Sequence, residues 1–384
     1  MNKSLITLLI LIPLLAGLSV LIGIATKVVK SPTSVWEANW QPIEMSYYPF
    51  PVSIASDSSG NIYVTGTEAG PRHSIFNNPI QNGYYLNQFT GNGEFVASRL
   101  LNIGNPVLLE DNGFIYIAGK TDDKLLVQKL RSFKDTEWTA TLPLDNNFYV
   151  DDINSFGGFI YVHLLQIHHN SSIVVIDSEG NINSHLAYPD INILLFDING
   201  NGDIYFTGSA SNVAEESGCS GWAIGTITDD TISMLKYDDR FCGTHLLIDS
   251  DGNIIISNFD SIIKLNVNLD VLWEVRLGDL PYNAHALDVT LDDNSNIIAC
   301  GSFGEAMNVI TVNDTSAIVG PGRRDCFLIV IDSNGELVFE TSWGTSSNDD
   351  YCMAVDIGQD SSIYAFSLFN NKSCLLKFII PYGE

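Results

Sequence analysis

Short runs of β-branched and aromatic residues recur along this chain, each entered through a polar cluster of Asp, Ser, Asn and Gly. The copies read SDSSGNIYVTG (56–66), LEDNGFIYIAG (109–119), NSFGGFIYVH (154–163), INGNGDIYFTG (198–208), DSDGNIIIS (249–257), DDNSNIIACG (292–301) and GQDSSIYAFS (358–367). Runs of this length and composition between turn formers predict β-strands. Their first isoleucines, Ile62, Ile115, Ile160, Ile204, Ile254, Ile297 and Ile363, are spaced by 53, 45, 44, 50, 43 and 66 residues. A second hairpin pattern follows six of the copies: YLNQFTGNGEFVASRL (85–100), LVQKLRSFKDTEWTATL (126–142), IVVIDSEGNINSHLAY (173–188), WAIGTITDDTISMLKY (222–237), IIKLNVNLDVLWEVRL (262–277) and FLIVIDSNGELVFETSW (327–343). Gly, Asn and Asp at the tips supply the backbone conformations that tight hairpins need.

Four short strands in every 40–50 residues or so is the period of a β-propeller blade. The seventh copy, CLLKFII (374–380), has no outer strand after it. The segment SVWEANWQPI (34–43) resembles the outer strands TEWTATL and VLWEVRL and precedes the first blade. Pairing it with the last blade removes two exposed edges and locks the ring. The expected fold is therefore all-β: a seven-bladed propeller of four-stranded antiparallel blades over residues 31–384, one domain, closed by an N-terminal strand.

Ahead of it, Leu5 to Thr26 runs for 22 residues without a charge, with Lys3 before and Lys27 and Lys30 after. That length suits a membrane-spanning helix of roughly 20 residues better than the shorter apolar core of a cleaved signal peptide. Gly23-Ile24-Ala25 offers a small-residue cleavage site, so the alternative is a secreted protein. Either way residues 1–30 serve as a signal anchor or signal peptide, and the propeller is expected on the outer side of the membrane, at the cell surface.

Charge narrows the partners. The chain carries 45 acidic against 18 basic residues, a formal net charge of −27, and no basic surface interleaved with aromatics. Such a field repels nucleic acid, favours solubility and attracts cations. A monomeric propeller is expected. Six cysteines, none in a C-x-x-C pair, suit an oxidising compartment better than zinc. Two bridges are the candidates: Cys219 with Cys242, and Cys300 with Cys326 on neighbouring strands.

The passage DCFLIVIDSNGELVFETSWGTSSNDDYCMAVDIGQDSSIYAFS (325–367) resembles the seven-bladed β-propeller repeat family of exported microbial proteins. Blade 1 keeps that family's last element as Gly60-Asn61-Ile62-Tyr63-Val64-Thr65-Gly66. The resemblance spans residues 34–384, strongest in blades 1, 6 and 7 and loosest in blades 3 and 4. It implies the fold and an exported location, and no reaction.

Candidate chemistry is sparse. Asp197, Asn199, Asn201 and Asp203 fit the first half of an oxygen-ligand calcium loop, but its twelfth position, where a bidentate Glu belongs, is Gly208. The same residues are favoured in a plain hairpin turn. On the innermost strands, the residue four before the turn acid reads Ser53, Pro106, Asp151, Ile193, His245, Asp288 and Cys352. Asp151, His245 and Asp288 would then share a polar funnel at the mouth of the central channel, as polar lining or as an acid–base or cation site. A one-residue slip would turn every side chain to the other face. Insertions at 67–84, 209–221 and 302–325 are candidate recognition loops; the last ends in Arg323-Arg324, either an anion site or a pair neutralised by acidic neighbours.

No nucleophile elbow, zincin motif, Walker loop or dinucleotide fingerprint occurs. The leading expectation is a non-catalytic binding or scaffold module for a protein, glycan or envelope component. The alternative is a lyase or hydrolase at the channel mouth.

Overall fold

The computed structural model describes residues 36–40, 51–67, 84–144, 148–166, 170–189, 191–210, 223–228, 231–238, 243–258, 260–278, 284–369 and 372–380. These all fall within the compact unit Thr33–Glu384; the expected N-terminal helix lies outside the described residues. Among them no helix is long and apolar enough to cross a membrane.

The strands group into blades that follow one another along the chain. Blade 1 is β2 (Pro51–Ser56), β3 (Ile62–Thr67), β4 (Tyr84–Phe89) and β5 (Phe95–Leu101). Blade 2 is β6 (Gly104–Asp111), β7 (Phe114–Lys120), β8 (Lys124–Ser132) and β9 (Asp135–Pro143). Blade 3 is β10 (Phe148–Phe156), β11 (Phe159–Gln166), β12 (Asn170–Ile176) and β13 (Ile182–Tyr188). Blade 4 is β14 (Ile191–Ile198), β15 (Ile204–Ala210), β16 (Ala223–Thr228) and β17 (Thr231–Tyr237). Blade 5 begins with β18 (His245–Ile248), β19 (Ile254–Ser257), β20 (Ser261–Leu265) and β21 (Val271–Leu277). Blade 6 is β22 (Ala284–Leu291), β23 (Ile297–Phe303), β26 (Asp325–Ile331) and β27 (Leu337–Trp343), with β24 (Ala306–Ile310) and β25 (Thr315–Val319) inserted after β23. Blade 7 is β28 (Tyr351–Ile357), β29 (Ile363–Phe369) and β30 (Lys372–Phe378), and its fourth strand is β1 (Trp36–Trp40).

The N-terminal closure is therefore present. Strand β1 runs antiparallel to β30 from Trp36↔Lys377 to Trp40↔Ser373. Innermost strands touch in the cyclic order β2, β6, β10, β14, β18, β22, β28 and back to β2, which closes the ring. Alternate residues on each strand face opposite neighbours, so apolar side chains gather at the seams between blades. Ile115 and Leu130 meet Tyr63 and Leu86 between blades 1 and 2, and Phe327 and Ile329 meet Ile255 and Val275 between blades 5 and 6. Ile62, Val64 and Phe89 pack on Tyr364 and Phe366 at the closing seam.

The inner hairpins owe their register to one side chain. In blade 1 the Asp57 Oδ1 accepts from the amides of Ser59 and Asn61 at 2.9 and 2.8 Å, and Asn61 Nδ2 donates back to Oδ2 at 2.9 Å. Gly60, at φ +78°, closes the turn in a conformation other residues resist. Asp249 and Asp292 cap the inner turns of blades 5 and 6 the same way, and Asp177 does so for the outer hairpin of blade 3. This is why Asp and Asn recur at these places in the repeat.

Two expectations need correction. Residues 302–325 are not a plain loop: β24 and β25 form a hairpin that leaves blade 6 and joins the outer edge of blade 5, with Arg276↔Ile310 and Leu277↔Val309 in register. Met307, Val309 and Ile318 drop into the seam between those blades, so the hairpin is held by apolar burial as well as by its ladder. Blade 5 thus has six strands where the others have four. Nor is there a Cys300–Cys326 bridge. Cys300 is opposite Leu328 and Cys326 opposite Ser302, a diagonal relation that spaces the two residues by about 7–8 Å, too far for a disulfide, and both are free. Both are buried thiols, pushed upward in pKa by that burial, and Cys300 Sγ donates to the Cys352 carbonyl at 3.6 Å. Cys219 and Cys242 lie outside the described residues.

Candidate functional site

Each innermost strand except β18 carries a register irregularity near its start, as between Val150 and Asp152 or Ala286 and Asp288. Counting by strand partners places Ser53, Val107, Asp152, Leu195, His245, Asp288 and Ala354 at equivalent positions. His245 and Asp288 thus fall at equivalent strand positions, and in blade 3 that position is held by Asp152 and not by Asp151. The slip has a physical origin. The cap of the blade 3 turn is not an acid: Phe156 pairs Phe159 around Gly157-Gly158, so no Asp marks where counting should begin. In blades 4 and 7, Asp197 and Asp356 look like turn acids, whereas Asn199 and Gly358 occupy the cap positions.

His245 Nε2 lies 3.0 Å from Asp288 Oδ1, with the two side chains 28% and 22% exposed. Burial pulls the His245 imidazole down, but the Asp288 hydrogen bond and the charges of Asp288 and Asp152 carry it above its ordinary value. Asp152 is driven up to about 7 by burial and by Asp151 and Asp197, against the opposing effects of the Ile153 amide and His245. Asp151 points elsewhere, to His163 Nδ1 at 3.2 Å. His163 is fully buried, edge-on to Phe196.

The other carboxylates near the axis tie blades together. Asp197 Oδ2 accepts the Ile248 amide of blade 5 at 2.7 Å, and Asn154 of blade 3 donates to its Oδ1. Asp288 Oδ2 accepts the Val355 amide of blade 7 at 2.7 Å. Asp356 Oδ2 accepts Ser56 Oγ of blade 1 at 2.8 Å. Ser53 Oγ does the same for the Leu108 amide of blade 2 at 3.1 Å. Burial raises Asp197 and Asp356 to about 6 each. Sequence reasoning missed this role for Asp197 and Asp356. The available signal was an acid inside an otherwise apolar inner strand, two residues before the turn cap in blades 4 and 7.

The blade 4 loop does not gather its oxygens at one point. Asp197 faces blade 5, whereas Asn199 Oδ1 accepts the Asn201 and Asp203 amides at 2.9 Å as a turn cap. Asp203 is held by Asn199 Nδ2 at 3.1 Å and Thr228 Oγ1 at 2.9 Å. Among the described residues no group of three His, Cys, Asp or Glu side chains is placed to hold a metal ion. Arg323 pairs with Asp349 at 3.3 Å on the surface, and the Arg324 guanidinium lies 5.7 Å over the Tyr351 ring. Residues 68–83 and 211–222 of the other candidate recognition loops lie outside the described residues. An open cleft of about 490 Å³ lies between the turns of blades 1 and 7, with Lys377 and Asp360 on its wall and neither His245 nor Asp288 lining it.

No protein-family profile matches the chain, and no curated protein sequence matches it. Solved structures do. BBS1N, crystallised in complex with ARL6DN and soaked with mercury, aligns with a TM-score of 0.57 at 10% identity, over 92% of this chain and 98% of that one. The Dos1 propeller aligns with a TM-score of 0.52 at 8% identity, over 91% and 97%. Likeness at such identities is of fold alone. The chain is a seven-bladed, all-β propeller.

Proposed function

We propose that this propeller is a non-catalytic binding or scaffold module, exported and held at the membrane by its N-terminal segment, that engages a protein or glycan through the loops of one face. The observation that carries the reading is the commitment of the inner carboxylates. Asp288, one of the three candidates of the catalytic alternative with His245 and Asp151, accepts a hydrogen bond from the neighbouring blade, as do Asp197 and Asp356. An acceptor spent on the scaffold rigidifies the ring. Strands β3, β15 and β23 each hold the second place in their blades, so they run in the same sense, and the last of them leads into the β24–β25 hairpin. Loops on a rigid frame are the usual carriers of recognition. A propeller of this fold is found in complex with ARL6DN, which supports a protein ligand. Export is supported by the 22 uncharged residues from Leu5 to Thr26.

The catalytic alternative makes a different demand on Asp288. As a seam tie, its replacement by Ala leaves the Val355 amide without an acceptor and is expected to cost about 2 kcal/mol. That is a drop of roughly 3 °C in the thermal midpoint of a chain this long. An unchanged midpoint would show that the tie carries no stability and would remove the observation on which this reading rests. For export, protease added to intact cells is expected to remove a tag fused after Glu384; a protected tag would place the propeller inside.

A further inference from the structure

The seam between blades 6 and 7 holds two fully buried carboxylates, one of which keeps an oxygen that nothing in the fold satisfies. Asp325, the first residue of β26, and Asp350, just before β28, are both 0% exposed. They are adjacent: the Asp350 amide donates to the carbonyl of Arg324 at 3.0 Å, and Arg324 bridges to Asp349. Asp325 Oδ2 accepts the Gly322 amide at 2.9 Å, while its Oδ1 has no partner. Asp350 Oδ2 takes the Thr345 amide at 2.6 Å and the Thr345 hydroxyl at 2.9 Å. Glycine backbone wraps the Asp325 carboxyl closely. A Cβ at Gly344 would fall 1.8 Å from Oδ1, and one at Gly320 would fall 2.0 Å from Oδ2. The Thr345 carbonyl belongs to the same shell, 2.1 Å from where a Cβ of Gly322 would stand.

Neither nearby cation neutralises Asp325. Arg323 is turned to Asp349 with its side chain 86% exposed, and Arg324 is spread over Tyr351. An ionised carboxylate enclosed without a counter-charge is costly, and an oxygen with no donor adds to the cost. Something positive belongs there.

We propose that Asp325 and Asp350 hold a calcium ion at this seam, bound through the orphaned Asp325 oxygen, the Asp350 carboxylate and backbone carbonyls of the glycine-rich shell. Calcium fits because it takes oxygen ligands at variable number and angle, carbonyls included, whereas magnesium demands a stricter octahedron and retains its water. Burial and the charge of Asp350 push the Asp325 carboxyl upward, the direction expected of a carboxylate enclosed without a counter-charge. The overall charge of −27 raises the local concentration of any cation.

The test is a calcium titration of the full chain in detergent micelles after chelator treatment, read by calorimetry, by melting and by hydrogen exchange. One saturable site is expected, with the midpoint rising by about 3–4 °C at a hundredfold excess over Kd. Asp325→Asn and Asp350→Asn should each weaken binding tenfold or more, and Asp203→Asn and Asp349→Asn should leave it unchanged. In the unaltered chain, calcium should slow amide exchange at 320–326 and 344–351, a readout that survives if a variant fails to fold. Absence of saturable binding, binding undiminished in Asp325→Asn, or protection confined to 197–203 would each overturn the proposal.

Discussion

Replacing Ser34–Ile43 by a Gly/Ser stretch of equal length is expected to cost the propeller its single cooperative melt and make it prone to aggregate. Strand β1 contributes a ladder of five paired residues to β30. At about 0.5–1.5 kcal/mol net per hydrogen bond, losing that ladder removes roughly 3–5 kcal/mol. That is a large share of the 5–15 kcal/mol or so by which domains are stable. The loss is also topological. With β1 gone, blade 7 is attached to the ring by its seams alone, and the backbone edge of β30 is open to pair with another chain. The thermal midpoint should fall by 5 °C or more, by about 0.7 kcal/mol of unfolding free energy per degree for this length. The same ten residues appended after Glu384 should restore it. Trp36 pairs Lys377, so an added strand would return from the end of β30 as an ordinary hairpin. A melt unaltered by the Gly/Ser replacement would show that closure adds nothing.

That closure was legible because two incomplete halves, CLLKFII at one end and SVWEANWQPI at the other, complete a blade. The repeat was legible for a related reason. Asp57, Asp249 and Asp292 cap the same turn in three blades, so one physical need writes the same letters many times. Legibility ended where a residue's place depends on local irregularity. Asp151 and Asp152 differ by one position, and only the bulge at Val150/Asp152 decides which of them sits level with His245 and Asp288. The β24–β25 hairpin was hidden because its partner, β21, belongs to another blade. No periodicity within residues 302–325 reports that Met307 and Ile318 are buried in the neighbouring seam. Asp325 and Asp350 were read as parts of a basic turn and a family motif. Nothing in the letters says that both are fully enclosed.

Acidification from pH 8 to pH 5 is expected to stabilise the ring. Asp152, raised to about 7, and Asp197 and Asp356, each raised to about 6, hold their protons in the folded state at a pH where the unfolded chain, near 3.8, has lost them. Between about pH 4 and 7 the native state therefore binds more protons than the unfolded state, and stability falls as pH rises. His245 acts in the same sense. Its folded pKa lies above the unfolded one, so its contribution is complete below about 6.5 and is lost as pH rises through the folded value. After discounting for their partly solvated positions, the three carboxylates together are worth on the order of 4 kcal/mol, about 5 °C in midpoint. Asp249, held by Lys264 at 2.8 Å, and Asp360, held by Lys377 at 2.8 Å, are shifted downward. Their stabilisation is lost only as pH falls below the ordinary carboxylate range, so the maximum should stand near pH 5. Relief of general repulsion in a chain of charge −27 would also favour low pH, and one variant separates the two. Asp152→Asn keeps the shape and removes the titration, so it should raise the midpoint at pH 8, leave it nearly unchanged at pH 5, and flatten the profile between. A profile as steep in Asp152→Asn as in the unaltered chain would assign the effect to net charge and not to the carboxylates at the axis.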